Sequence, residues 1–231
     1  MDNANEPIKA PTKVADLRVS YESGTLAEAD LAMSPQAQFD AWFHAAQQAG
    51  IDEPNAMVVG TVGADGQPSA RTVLLKGVDE RGFTFFTNLG STKSQQLTGN
   101  PGVSLVFPWY ALHRQVVISG TAELLPREEV AEYFLSRPHD SQLGAWVSRQ
   151  STRIDGRDEL DTRWAQLAQE YPAGSTVPVP DFWGGWLVRP RTVEFWQGRT
   201  SRLHDRLRFV ATTERAALDE ASAWTVERLS P

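Results

Sequence analysis

At 231 residues, with 41% hydrophobic and 22% charged side chains, the chain has the balance of an ordinary globular protein with a sizeable core. Its formal net charge of −7 argues against a nucleic-acid partner, which calls for a basic face, and its lack of cysteine excludes disulfides, thiolate metal sites and thiol catalysis. No apolar run nears the roughly 18 residues that span a bilayer, so no membrane partner is expected. The opening stretch MDNANEPIKAPTK is polar and lacks the apolar core of a secretory leader. A cytoplasmic protein is therefore expected, with residues 1–15 a flexible tail and 16–231 a single domain.

The first expected element is a helix from Ser34 to Gly50. Ser34 suits the N-cap, Pro35 the first helical position, and Phe39, Trp42, Phe43 and Ala46 recur at spacings of three and four. The texture then changes to short β-rich runs joined by Asp/Gly turns: Ala56–Val62, Ser69–Lys76, Phe83–Asn88, Gly102–Phe107 and Arg114–Leu124. A short helix is expected at Ser91–Thr98. Helices return at PREEVAEYFLSRP and over Gly156–Tyr171. Strands close the chain as WGGWLV, TVEFWQ, LRFVAT and WTVERL. Strands interrupted by a helical insertion predict a mainly β (α+β) fold, an antiparallel barrel with helices outside it.

Neither GxxxxGK[ST] nor GxGxxG occurs; Gly60, Gly63 and Gly66 have the wrong spacing and fall on a hairpin. Any phosphate must then be held by side chains and turn amides. His44, His113, His139 and His204 show no metal-ligand spacing, so no metal is expected, and no GxSxG marks a serine nucleophile. The segment Glu194–Phe209 gathers Arg199, Arg202, His204, Arg206 and Arg208 beside Trp196. It reads either as a solvated hairpin or, by strand alternation, as one face carrying Arg202, His204 and Arg206 toward an anionic or electron-rich ligand. Arg71 to Lys76 reads as a strand with two charged ends. Tyr133, Arg137 and Ser141 stand at i, i+4 spacing as phosphate-compatible donors, provided the helix survives Pro138.

Together the strings RTVLLK, FFTNLGS, LVFPW, RQV, YFLSRPHDSQLGAWVSRQS, FWGGW and VEFWQG with RLHDR, in this order, resemble the pyridoxine/pyridoxamine 5′-phosphate oxidases over nearly the whole chain. The resemblance implies a split β-barrel, a homodimer, and two FMN sites between the subunits. FMN is expected against Arg71, Thr72, Val73, Leu74, Leu75, Lys76, Phe86, Thr87, Thr92, Lys93, Gln115, Gln150, Ser151, Trp196 and Arg206. Lys76, Tyr133, Arg137 and Ser141 are expected on the substrate phosphate. Arg202 and His204, the implied catalytic pair, would lie against the pyridine ring, with Arg18 and Tyr21 in an N-terminal segment that closes over the site. Thr92 departs from the family's Ser-Arg-Lys pattern and leaves one cation fewer near the FMN phosphate. A charge-assisted bond contributes roughly 1.5–3 kcal/mol, so FMN affinity is expected to fall by up to about a hundredfold unless another group compensates.

The implied reaction oxidises pyridoxamine 5′-phosphate or pyridoxine 5′-phosphate to pyridoxal 5′-phosphate. It needs a hydride acceptor that no side chain supplies, hence the flavin, with O2 as oxidant and H2O2 (and NH3 from the amine) as products. Two other readings stay open. One is a flavin- or deazaflavin-dependent reductase on the same barrel, and the other is a flavin- or pyridoxal-phosphate-binding protein without turnover. The tryptophans Trp183, Trp186 and Trp196 are expected at the surface of the dimer.

Overall fold

The computed structural model describes Lys13, Leu17, Ser20, Tyr21 and residues 24–231. Most of the expected tail and the candidate Arg18 lie outside the described residues.

Helix α1 (Pro35–Gln48) starts where its signals place it. The Ser34 Oγ accepts from the Ala37 N–H at 3.3 Å, and Gly50 turns the chain away at φ +68°. Its apolar face, Phe39, Trp42 and Ala46, is buried. The Phe39 ring meets Phe83 and Phe107 edge-on, each at 5.0 Å. Burying one such ring contributes about 1.5–3 kcal/mol, so α1 is held by this contact more than by its own propensity.

Nine strands follow: β1 (Ala56–Val62), β2 (Pro68–Leu74), β3 (Gly77–Asp79), β4 (Gly82–Asn88), β5 (Gly102–Trp109), β6 (Arg114–Leu124), β7 (Trp183–Gln197), β8 (Asp205–Ala211) and β9 (Trp224–Arg228). All pairings are antiparallel, in the order β2-β1-β5-β6-β7-β4-β3, with β8 on β7 and β9 on β8. Alternation expresses itself as burial: Val103, Leu105, Phe107 and Trp109 of β5 all point into the core. The split β-barrel expected from the sequence is the fold observed.

The split has a local cause. WGGWLV and TVEFWQ, expected as two strands, form the single strand β7. One edge of β7 pairs with β6 from Trp186 to Gln197, whereas the other edge is shared: Trp183–Val188 pairs with β4 and Thr192–Gln197 with β8. Between them lies Pro190, which has no N–H to give a ladder, and the β6 register shifts between Ser119 and Gly120. A Cβ on Gly120 would stand 2.0 Å from the Arg189 carbonyl oxygen, so only glycine permits this approach.

Four more helices pack outside: α2 (Thr92–Gly99), α3 (Arg127–Ser136), α4 (His139–Val147) and α5 (Arg157–Glu170). The helical run expected through Arg137 breaks there. Arg137 and Pro138 are extended, with ψ 150° and 142°, because a residue before proline is driven from the helical region. Helix α4, not expected as a separate element, starts anew at His139. Phe134, Leu143, Ala145 and Val177 form a second, smaller core under these helices. Trp186, expected at the surface, is buried, and its indole N–H donates to Ser94 Oγ at 3.0 Å.

Candidate active site

A cavity of about 870 Å³ opens between edge strand β2 and the α3–α4 elbow. Because β2 pairs only with β1 among the described residues, its other edge can meet a ligand along Arg71–Leu74. Arg71 projects inward and is pinned by neutral oxygens. Its Nη1 donates to the Val59 carbonyl (3.0 Å) and Thr61 Oγ1 (2.6 Å), and its Nη2 to Ser69 Oγ (2.6 Å) and Gln96 Oε1 (3.4 Å). Helix α2 brings Thr92 and Lys93 to the same wall. Lys93 is buried, and its ammonium donates to Thr87 Oγ1 at 3.0 Å and Gln150 Oε1 at 3.2 Å. Burial, followed by the charge of Arg71, pulls Lys93 down to about 8.

The opposite wall belongs to the elbow. Tyr133 stacks on Phe86, with ring centroids 3.9 Å apart and planes 13° apart. The Arg137 guanidinium lies 4.4 Å over the Trp183 ring, and its Nη1 is buried without a hydrogen-bond partner. Burial lowers the pKa of Arg137 and raises that of Tyr133. Ser141 arrives from the first turn of α4, and Lys76, Gln150 and Ser151 complete the lining. The break at Pro138 thus folds Tyr133, Arg137 and Ser141 around one space, where a continuous helix would have laid them in a row.

The charge balance of this cavity is unlike the rest of the molecule. Among the described residues, Arg71, Lys76, Lys93 and Arg137 line it and no carboxylate does. Several arginines elsewhere are paired: Arg81 with Asp79 and Glu129, Arg206 with Glu194, Arg228 with Glu28 and Asp205. A chain of net charge −7 has kept four cations uncompensated in one place, a configuration suited to dianions.

The remaining candidates form a second group that shares no lining residue with this cavity. Gln115, Trp196 and Arg206 stand side by side on β6, β7 and β8. Tyr21, His113, Gln115 and Trp196 line a smaller cavity of about 320 Å³, and the His204 ring lies 4.6 Å from that of Trp196. The period-two face expected for Arg202, His204 and Arg206 does not exist. Ser201 and Arg202 adopt φ +56° and +63° in a 3₁₀ turn, and β8 begins only at Asp205, so alternation never reaches Arg202. Arg206 is tied to Glu194 by bonds of 2.7 and 3.1 Å, and Arg202 is exposed. Leu75, expected beside the cofactor, points into the core, and its N–H is spent on the Asn55 carbonyl.

Sequence reasoning missed the supports: Ser69, Thr61 and Gln96 around Arg71, Trp183 beneath Arg137, and His113 against Tyr21 with ring centroids 4.3 Å apart. Two of these carried a local signal: Gln96 follows Lys93 by three residues on α2, and Ser69 precedes Arg71 by two on β2, so each shares its neighbour's face.

Residues 43–170 match the family model described as pyridoxamine 5′-phosphate oxidase. Residues 183–231, the stretch from β7 to the last residue, match the pyridoxine 5′-phosphate oxidase C-terminal dimerisation region. The pyridoxine/pyridoxamine 5′-phosphate oxidase of Streptomyces avermitilis is 52% identical over 98% of both chains. The one from Frankia alni is 54% identical over 94% of this chain and 88% of its own. Among solved structures, PhzG from Burkholderia lata 383, in complex with tetrahydrophenazine-1-carboxylic acid, superposes with a TM-score of 0.79 at 27% identity, over 90% of this chain and 98% of its own. With one family model over residues 43–170, a second over residues 183–231, and relatives more than half identical along most of their length, the chain belongs to the pyridoxamine 5′-phosphate oxidase family of oxidoreductases.

Proposed function

We propose that this protein is an FMN-dependent oxidase that converts pyridoxamine 5′-phosphate and pyridoxine 5′-phosphate to pyridoxal 5′-phosphate in the cytoplasm. The observation that carries the reading is the cavity with four cations and no carboxylate, because cofactor and substrate each present a phosphate dianion. The fit to FMN rests on Arg71 and Lys93. Both are half or fully buried with only neutral oxygens as partners, so their charges await an anion. Thr92, Gln150 and Ser151 would add donors, and the open edge of β2 would meet the ring system along Thr72–Leu74.

When bound there, FMN would supply the hydride acceptor for oxidation at the substrate C4′ that no side chain provides, with O2 as the final oxidant and H2O2 as its product. The residues of this chain bind and orient. Lys76, Tyr133, Arg137 and Ser141 hold the substrate phosphate, remote from the bond that breaks, and that anchoring limits the positions open to C4′. The Phe86–Tyr133 stack walls off water on one side. His204 accepts from the Arg199 N–H at its Nδ1, 3.1 Å, so the neutral ring carries its proton on Nε2 and donates from there to the polar edge of the pyridine. Arg202 supplies a cation to the reacting ring.

Gln115, Trp196, Arg202, His204 and Arg206 stand apart from the cationic cavity within one chain. A homodimer built through residues 183–231 supports their use, since a second copy supplies the missing half of each site.

The test is peroxide release by the FMN-loaded protein with pyridoxamine 5′-phosphate, pyridoxine 5′-phosphate and the unphosphorylated vitamers. Turnover with both phosphate esters and little with the free vitamers is expected. Equal rates without the phosphate, or binding without peroxide, would overturn the reading in favour of another oxidase or of a carrier.

A further inference from the structure

Asp205, the first residue of β8, is the acceptor for three separate parts of the chain. Its Oδ2 takes the Leu26 backbone N–H at 3.1 Å and the Arg199 Nη1 at 2.9 Å, while its Oδ1 takes the Arg228 Nη1 at 2.9 Å. Arg228 in turn holds the Leu26 carbonyl at 3.1 Å and the Glu28 carboxylate at 2.7 and 2.8 Å. Leu26 itself is buried in the main core. The stretch from Gly24 to Glu28 is thereby stapled across the ends of β8 and β9.

Two consequences reach the reactive half of the site. Upstream of the staple, Tyr21 is seated on Gly198: a Cβ there would come within 2.7 Å of the tyrosine ring, and the ring lies 4.3 Å from His113 and 5.8 Å from His204. Gly24, at φ +95°, packs against the Gln197 amide and lets the segment pass that closely. Downstream, the same carboxylate fixes Arg199, whose backbone N–H is the donor to His204 Nδ1.

We propose that Asp205 is a positioning residue, coupling the seating of the segment that carries Tyr21 to the orientation and tautomer of His204 through Arg199. The inference rests on the reaction proposed above. Asp205 touches neither the ring of Tyr21 nor that of His204; it holds the Leu26 backbone N–H and the Arg199 guanidinium. The charge is needed because three donors, two of them guanidinium groups, converge on two oxygens. An amide in its place turns one acceptor into a donor facing donors.

The experiment is a double-mutant cycle between Asp205→Asn and His204→Asn on the FMN-loaded protein. It reads kcat/KM for pyridoxamine 5′-phosphate and, separately, the dissociation constant of pyridoxal 5′-phosphate. Asp205→Asn is expected to lower kcat/KM about tenfold in the wild-type background and less than about twofold in the His204→Asn background, with product affinity following the same pattern. Arg199→Met, half-exposed and thus easily folded, removes the side-chain link while keeping the backbone N–H. It should show a smaller loss, again absorbed by His204→Asn, and a weakened Nε2–H tautomer preference in the 15N spectrum of His204. Losses that multiply in the double variant, or an Arg199→Met protein identical to wild type in rate, affinity and spectrum, would overturn the role. A wild-type protein that neither oxidises the phosphate esters nor binds the product would instead refute the reaction, and this coupling with it.

Discussion

Raising the pH from 7 to 9 should weaken FMN binding about tenfold, and Lys93 is the reason. In the free protein its ammonium is buried among the neutral oxygens of Thr87, Gln150 and Ser91, beside the charge of Arg71. Burial first, and Arg71 second, bring it to about 8, below the ordinary lysine value of 10.5. The direction follows from linkage. A phosphate dianion binds the charged form, so above the free-protein pKa binding must take up a proton and affinity falls. With a pKa of about 8, roughly nine-tenths of the lysines are charged at pH 7 and one-tenth at pH 9, hence the factor of about ten. The flavin phosphate, with a second pKa near 6, contributes almost nothing over this range. Quenching of flavin fluorescence on titration with apoprotein measures the constant at each pH. Lys93→Met should weaken binding at pH 7 by about ten- to a hundredfold, the worth of one charge-assisted bond, and its profile should be flat. A wild-type constant unchanged between pH 7 and 9, or the same tenfold slope in Lys93→Met, would show that Lys93 does not face the phosphate.

Arg137→Ala should raise KM for both phosphorylated substrates by roughly ten- to a hundredfold, with some loss of kcat, while leaving the unphosphorylated vitamers where they were; steady-state kinetics with both classes decides it. Arg202→Leu should act mainly on kcat and leave the flavin content of purified protein nearly unchanged; a variant raised in KM alone, or stripped of flavin, would misplace Arg202. Thr92→Arg restores the cation that the family pattern has at the mouth of α2. It should tighten FMN binding by up to about a hundredfold in the same fluorescence titration. Gly120→Ala forces a Cβ against the Arg189 carbonyl oxygen at the point where β7 changes partners, and should lower unfolding free energy by about 1–3 kcal/mol in denaturant titration.

The elements were legible wherever one local rule decided them. Ser34, Pro35 and Gly50 bracket α1, and the alternation of Arg114–Leu124 gave β6 to the residue. The rule failed where a long-range partner decided instead. Arg189–Arg191, with a proline at its centre, reads as a gap between strands, yet β6 runs unbroken alongside it and carries β7 through. Arg202 and His204 look alternating because the string is short and charged. Two consecutive left-handed residues, which no propensity favours in Ser or Arg, bend the chain before β8 begins.

The site was legible as a set of residue types and not as a set of neighbours. Family-like strings named Arg71, Lys93, Arg137 and Trp196 alike, but nothing local says that the first three share a cavity from which Trp196 is excluded. That division follows from topology. β2 is an edge strand, so its ligand-facing side opens away from the sheet, whereas β6, β7 and β8 present their candidates from the sheet's interior strands. One chain therefore carries two separate groups of opposite character, one cationic and one aromatic with hydrogen-bonding tips. A phosphate ester of an aromatic ring needs both at once. Among the described residues, the cationic half has no aromatic acid–base group beyond Tyr133, and in the half with His204 the arginines Arg199, Arg206 and Arg208 are already paired with carboxylates. On the proposed reaction, assembly would be a condition of activity, and dilution below the dimer dissociation constant should remove turnover before it removes the fold.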